Sequence, residues 1–93
     1  LDDYANASRE YVWIMNFTAQ TKETKKTAIA SYFLGVCLDK LKNFELALKA
    51  YQQFMTLASP EQQLEIEKVK LRLPSLERQI AQGQGIKNKQ RKK

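Results

Sequence analysis

Ninety-three residues make one small domain, which buries only about 60–65% of the surface its unfolded chain exposes, so its stability is expected to be modest. With no histidine and a single cysteine, Cys37, the chain can assemble neither the usual zinc ligand sets, nor a cysteine–histidine nucleophile pair, nor an internal disulfide. Apolar runs such as residues 28–30 and 32–38, the second interrupted by Gly35, fall far short of the roughly 20 residues that a membrane span needs.

Hydrophobic residues at 43% and charged residues at 28% are ordinary for a globular chain, whereas three Gly and two Pro are few and favour long helices. The net charge of +6 is unevenly placed. Lys87, Lys89, Arg91, Lys92 and Lys93 supply five of the sixteen basic residues and no acid follows Glu77, which leaves the first 86 residues at +1. Starting at Leu1 rather than Met, the chain is expected to be part of a longer protein, in which case its first helix would lack a neighbour. The lone thiol leaves the compartment open, with the cytoplasm favoured, and its setting among Phe33, Leu34, Val36 and Leu38 predicts a buried core cysteine.

Tyr4, Ala7, Tyr11, Ile14 and Met15 keep the 3.6-residue rhythm of an amphipathic helix over residues 3–18, with Val12 and Phe17 alongside and Asp2 or Asp3 as its cap. Residues 18–23 are polar and read as a connection, although without Gly or Pro they could partly continue the helix. A second helix begins near Thr24, with Ala28, Ile29, Tyr32, Phe33, Val36 and Leu41 as its stripe and Ala30, Leu34 and Leu38 widening it. Apolar residues on nearly all sides imply more than one neighbour.

Asn43 is placed to cap a third helix that carries Phe44, Ala47, Leu48, Tyr51, Phe54 and Leu57, which makes an αα-hairpin with the second. Ser59, Pro60, Glu61 and Gln62 form a helix-start signature: a cap, proline at the first helical position, and Gln62 at the capping-box site. The fourth helix, about 60–82, carries a heptad-like seam of Ile66, Val69, Leu73, Leu76 and Ile80. Pro74 predicts a kink or break near Leu73, with helix resuming at Ser75. Residues 83–93 have almost no apolar content and are expected to form a disordered basic tail.

The chain also matches itself. Tyr4, Ala7, Tyr11 and Ile14 recur as Phe44, Ala47, Tyr51 and Phe54, each 40 residues later. A small residue between two bulky ones on one helix face lets a neighbouring helix approach closely, and a period of this size built of helix pairs points to a solenoid. Residues 28–60 resemble a tetratricopeptide repeat. With Ala28 as the first position, Leu34-Gly35 fall on the repeat's Leu-Gly pair, Phe44 on the aromatic that opens its second helix, Ala47 on its small residue and Tyr51 on its second aromatic. Leu38 replaces the usual Tyr, Ser31 stands where Trp is usual and Phe54 where Ala is usual, and the closing proline comes one position late. Residues 3–18 resemble the second helix of a preceding repeat. The 40-residue offset exceeds the usual period of about 34, so a loop or helix must be longer than standard.

The resemblance implies an all-α architecture of antiparallel helical hairpins in an α-solenoid of about four helices, with residues 24–58 as one full repeat and the fourth helix as its cap. It also implies a non-catalytic scaffold that binds another protein or peptide, with no cofactor and no metal. It places the partner-binding groove on the first helix of the repeat, at Ile29, Tyr32, Val36 and Lys40, where Tyr32 and Val36 stand in place of the Lys and Asn that clamp a C-terminal carboxylate. Because the second helix is apolar nearly all round, Tyr32 fits a core position equally well. Gly35 is expected to let the second and third helices touch beside Ala47. The scattered carboxylates fit solvated helix faces, and no glycine-rich phosphate loop is present, so catalysis is not expected.

Two alternatives stay open. One is contact with nucleic acid or an anionic membrane surface through Lys87, Lys89, Arg91, Lys92 and Lys93, which lack the interleaved aromatics of base stacking. The other is self-association through the first helix or the seam of the fourth.

Overall fold

A computed structural model describes residues 3–85, which form four helices and, among the described residues, no strand. Helix α1 spans Tyr4–Gln20, α2 Thr24–Lys40, α3 Phe44–Leu57 and α4 Gln63–Ala81, the last entered through a single 3₁₀ turn at Pro60–Gln62. Each helix packs on the next, so the chain is an all-α succession of antiparallel hairpins.

The turns explain the 40-residue repeat. Helix α1 ends with Lys22 in the left-handed region (φ 63°), its N–H bonded to the Ala19 carbonyl at 3.2 Å and the Glu23 N–H to the Thr18 carbonyl at 2.8 Å. Helix α2 ends identically at Lys42 (φ 64°), through bonds to Asp39 and Leu38 at 3.0 and 2.9 Å. These are Schellman caps, and the third one, after α4, uses Gly83 (φ 78°). Two 17-residue helices with matching turns set the spacing, so longer helices, rather than a longer loop, account for the excess over the usual period.

Local capping differs in detail from expectation. Asp3 caps α1, accepting from the Asn6 N–H at 3.3 Å. Asn43 occupies the N-cap of α3, but its side chain makes no capping bond. At the fourth helix Gln62 Oε1 accepts from the Ser59 N–H at 3.0 Å, and the first turn is 3₁₀, so regular α-helix starts at Gln63 rather than Pro60. Helix α4 then continues through Pro74 without the expected break. Proline deprives the carbonyl one turn earlier, on Lys70, of its donor, and both residues lie on the exposed side of the helix.

The core lies where α2, α3 and α4 meet. Phe54, Leu76, Val69, Ala28 and Ala47 are fully enclosed, and Tyr32 and Tyr51 complete it. The seam of α4 faces this core: Val69 and Leu76 are buried, and Ile66, Leu73 and Ile80 pack against the same cluster. The apolar row suited to a coiled-coil dimer is therefore occupied inside the fold. Gly35 marks a close approach of α2 to α3, with the Tyr51 ring, one turn from the buried Ala47, nearest to it: a Cβ there would lie 2.6 Å from Tyr51 Cδ1 and Cε1. Cys37 is buried as expected, and burial pushes its thiol pKa up.

An ion pair ties α2 to α4. Arg72 donates from Nε and Nη2 to the two oxygens of Asp39, each at 2.8 Å, and the Tyr51 hydroxyl donates to the same carboxylate at 3.2 Å. Burial first, and then the neighbouring Asp39 charge, push the Tyr51 phenol well above the ordinary tyrosine range. The sign of the pH effect follows. The unfolded chain begins to lose this proton near pH 10 while the folded chain keeps it, so the unfolded state binds fewer protons above that pH and stability falls as pH rises. Tyr51→Phe is expected to lower the melting temperature at pH 7, by losing a hydrogen bond of about 1 kcal/mol, yet to flatten its decline between pH 9 and 11. Parallel declines in melts of the two proteins would contradict this account.

Candidate protein-docking trough

The expected groove residues divide between core and surface. Tyr32 is 9% exposed, with its ring edge-on to Phe33 at 5.2 Å and tilted against Phe54 at 5.5 Å. Ile29 and Val36 are half-buried against the same cluster, and only Lys40, the last residue of α2, is exposed. Tyr32 is therefore not available as a partner anchor. Tyr32 sits in one cluster with Tyr51 and Phe54 of α3 and Val69 of α4, and this side of α2 is joined to α4 by Arg72–Asp39 and to the preceding 3₁₀ turn by the Lys25–Glu61 ion pair and a Gln62 bond to the Lys25 carbonyl. Tyr32→Ala is expected to destabilise the domain by about 2–4 kcal/mol, as removal of buried aromatic contacts does. A thermal melt unchanged from the parent chain would return Tyr32 to the surface. The other expected site, Lys87, Lys89, Arg91, Lys92 and Lys93, lies outside the described residues.

The opposite side of α2 carries a different feature. Two residues along a helix rotate a side chain by about 200°, so Leu34 and Leu38 point away from Tyr32 and Val36. They floor a trough between α1 and α3, which scarcely touch each other. Val12 and Trp13 form one wall and Leu46 and Ala50 the other, enclosing about 590 Å³. A second hollow of about 520 Å³, bounded by Thr18, Lys22, Thr27 and Leu57, continues it and shares Gln53. From Ser8 to Lys22 the trough follows α1 for about 20 Å.

Its polar rim is one-signed: Arg9 and Lys49 face each other across the first hollow, Lys22 borders the second, and no carboxylate lines either. Trp13 is 65% exposed, stacked on the exposed Phe17 at 5.4 Å with the planes 4° apart. A large aromatic pair left to water, beside the exposed Val12 and Leu46, is the kind of patch that marks interaction surfaces. A signal for it exists in the sequence. Val12, Trp13 and Phe17 fall off the Tyr4–Ala7–Tyr11–Ile14 stripe of α1, and Leu34 and Leu38 widen the stripe of α2; together they form a second apolar face.

Among the described residues no group of three or more histidine, cysteine or acidic side chains stands together as a metal site, and no helix is long and apolar enough to cross a membrane. Comparison with protein-family models, with curated proteins and with solved structures gives no match.

Proposed function

We propose that this chain is a non-catalytic protein-interaction module, a tetratricopeptide-like helical scaffold whose docking surface is the trough between α1 and α3. The observation that carries the reading is the trough whose exposed apolar residues Val12, Trp13 and Leu46 stand around the half-buried Leu38, with Leu34 and Ala50 buried beneath them. The tetratricopeptide pattern of residues 28–60 supports the scaffold part of the reading. Large aromatic side chains that become desolvated dominate binding energies, and Trp13 is placed to do so.

Peptide binders selected by display against the immobilised chain test this. Leu46→Lys sets a charge in the trough wall at a partly exposed position, so folding should persist. Affinity of the selected binders should fall by about tenfold or more, equal to about 1.4 kcal/mol. Binders indifferent to both Leu46→Lys and Val12→Lys would refute the reading.

A second reading, self-association, is favoured by Leu64 and Leu71, which stand exposed seven residues apart on the outer face of α4. Sedimentation of the parent chain and of Leu71→Lys across a range of concentrations separates the two: concentration-dependent mass that the substitution abolishes supports self-association, and a constant monomer excludes it.

A further inference from the structure

The trough restricts what can occupy it. Its walls are helices, whose backbone N–H and C=O groups are already bonded to one another, so they present no edge to which an extended peptide could add as a strand. An extended segment on this apolar floor would leave its own backbone polar groups without partners, whereas a helix satisfies them internally. The length is that of roughly four helical turns, the first hollow lined mainly by apolar residues and the second largely by Thr18, Thr24, Thr27 and Gln53. A helix seated there would rest on α2 between α1 and α3, meeting Leu34, Leu38, Val12, Trp13, Leu46 and Ala50 with apolar residues spaced three and four apart.

Charge selects further. A helix in this seat has its flanks against Arg9 on one side and Lys49 on the other, with Lys22 farther along and no carboxylate in the lining. Acidic flanks are complementary, and basic flanks would meet like charge. A second copy of this chain fits poorly. Its only helix with two widely exposed leucines one heptad apart is α4, where Lys68 stands on the same row between Leu64 and Leu71. The segment 86–93 is basic throughout its charged positions and fits no better.

Resting on the docking role proposed above, we infer that the trough receives an acidic amphipathic helix of a partner protein, its apolar row on Val12, Trp13, Leu38 and Leu46 and its carboxylates toward Arg9 and Lys49.

Trp13 is the chain's only tryptophan and stands in the trough wall, so its emission reports occupancy without a label. The probes are three synthetic helices of about 16 residues, sharing one apolar row spaced i, i+3, i+4, i+7 and flanked by Glu, by Lys or by Gln, together with oligouridylate. The expected result is a blue shift of Trp13 on adding the Glu-flanked helix. Its dissociation constant should be on the order of tenfold lower than that of the Lys-flanked helix, with the difference shrinking as salt rises. The double substitution Arg9→Glu with Lys49→Glu, at two exposed positions, should reverse that preference.

Equal binding of the Glu- and Lys-flanked helices would overturn the acidic assignment while leaving the docking role standing. A Trp13 response to oligouridylate and to none of the helices would make the trough a nucleic-acid groove and overturn the inference. No response to any helix, while display-selected binders still lose affinity with Leu46→Lys, would show that the occupant is not a helix. Failure of those binders to respond to either Leu46→Lys or Val12→Lys would remove the docking role itself.

Discussion

Gly35→Leu is expected to lower the melting temperature by roughly 12–24 °C, or to leave the chain unfolded at ordinary temperatures. A Cβ at this position would already sit 2.6 Å from two carbons of the Tyr51 ring, and leucine adds three further carbons in the same direction. The ring has nowhere to go. Tyr51 is buried, its hydroxyl is held by Asp39 at 3.2 Å, and Tyr32 packs on it with ring centroids 6.5 Å apart. Overpacking a close-packed site costs about 1–3 kcal/mol when neighbours can shift and more when they cannot, so about 3 kcal/mol is a reasonable lower figure here. For a domain of this size each kcal/mol corresponds to about 4–8 °C. Circular dichroism melts of Gly35→Ala and Gly35→Leu should show graded losses, with alanine offset in part by its gain of about 1 kcal/mol in helix propensity. An unchanged melt for the leucine variant would mean that α2 and α3 do not meet at this point.

Phe54→Ala should be comparably damaging through the opposite mechanism, a void. Phe54 is 0% exposed and is the largest fully enclosed side chain, at the junction of α2, α3 and α4. Truncating such a phenylalanine costs about 3–5 kcal/mol, from lost transfer energy and unfilled volume together. A domain of this length has about 5–14 kcal/mol in total, so the loss is a large share. Urea titration should show the midpoint falling with little change in slope, since the surface exposed on unfolding alters little. A midpoint within error of the parent would place Phe54 outside the core. The position also shows how this chain departs from the tetratricopeptide pattern: where that pattern has alanine, a benzyl group here supports Tyr32 and the inner face of α4.

Much of this architecture is legible in the sequence because it is local. Apolar residues three and four apart mark all four helices, the Ser59–Gln62 signature marks the start of the fourth to within one turn, and the 40-residue echo of Tyr4, Ala7 and Tyr11 in Phe44, Ala47 and Tyr51 marks equivalent helix faces. The first turn is harder to read, since its left-handed residue is Lys22, a residue that announces no turn, where glycine would. The Asp39–Arg72 pair is illegible for another reason: the two residues lie 33 apart and meet only because α3 brings α4 back across α2. The same crossing turns Tyr32 from a groove residue into a core residue. Trp13 escapes the reading because the expected stripe of α1 accounts for the helix without it, although an off-stripe Val12-Trp13 with Phe17 one turn on is the pattern of a second apolar face.

Whether that second face is where a partner docks is most directly tested by amide chemical-shift mapping of the isotope-labelled chain, titrated with the tightest display-selected binder. The account predicts that the largest shifts cluster at Val12, Trp13, Leu34, Leu38, Leu46 and Ala50, on both walls and the floor of one trough. Shifts centred instead on Ile29, Val36 and Lys40, or on Leu64 and Leu71, with the trough residues unmoved, would contradict it.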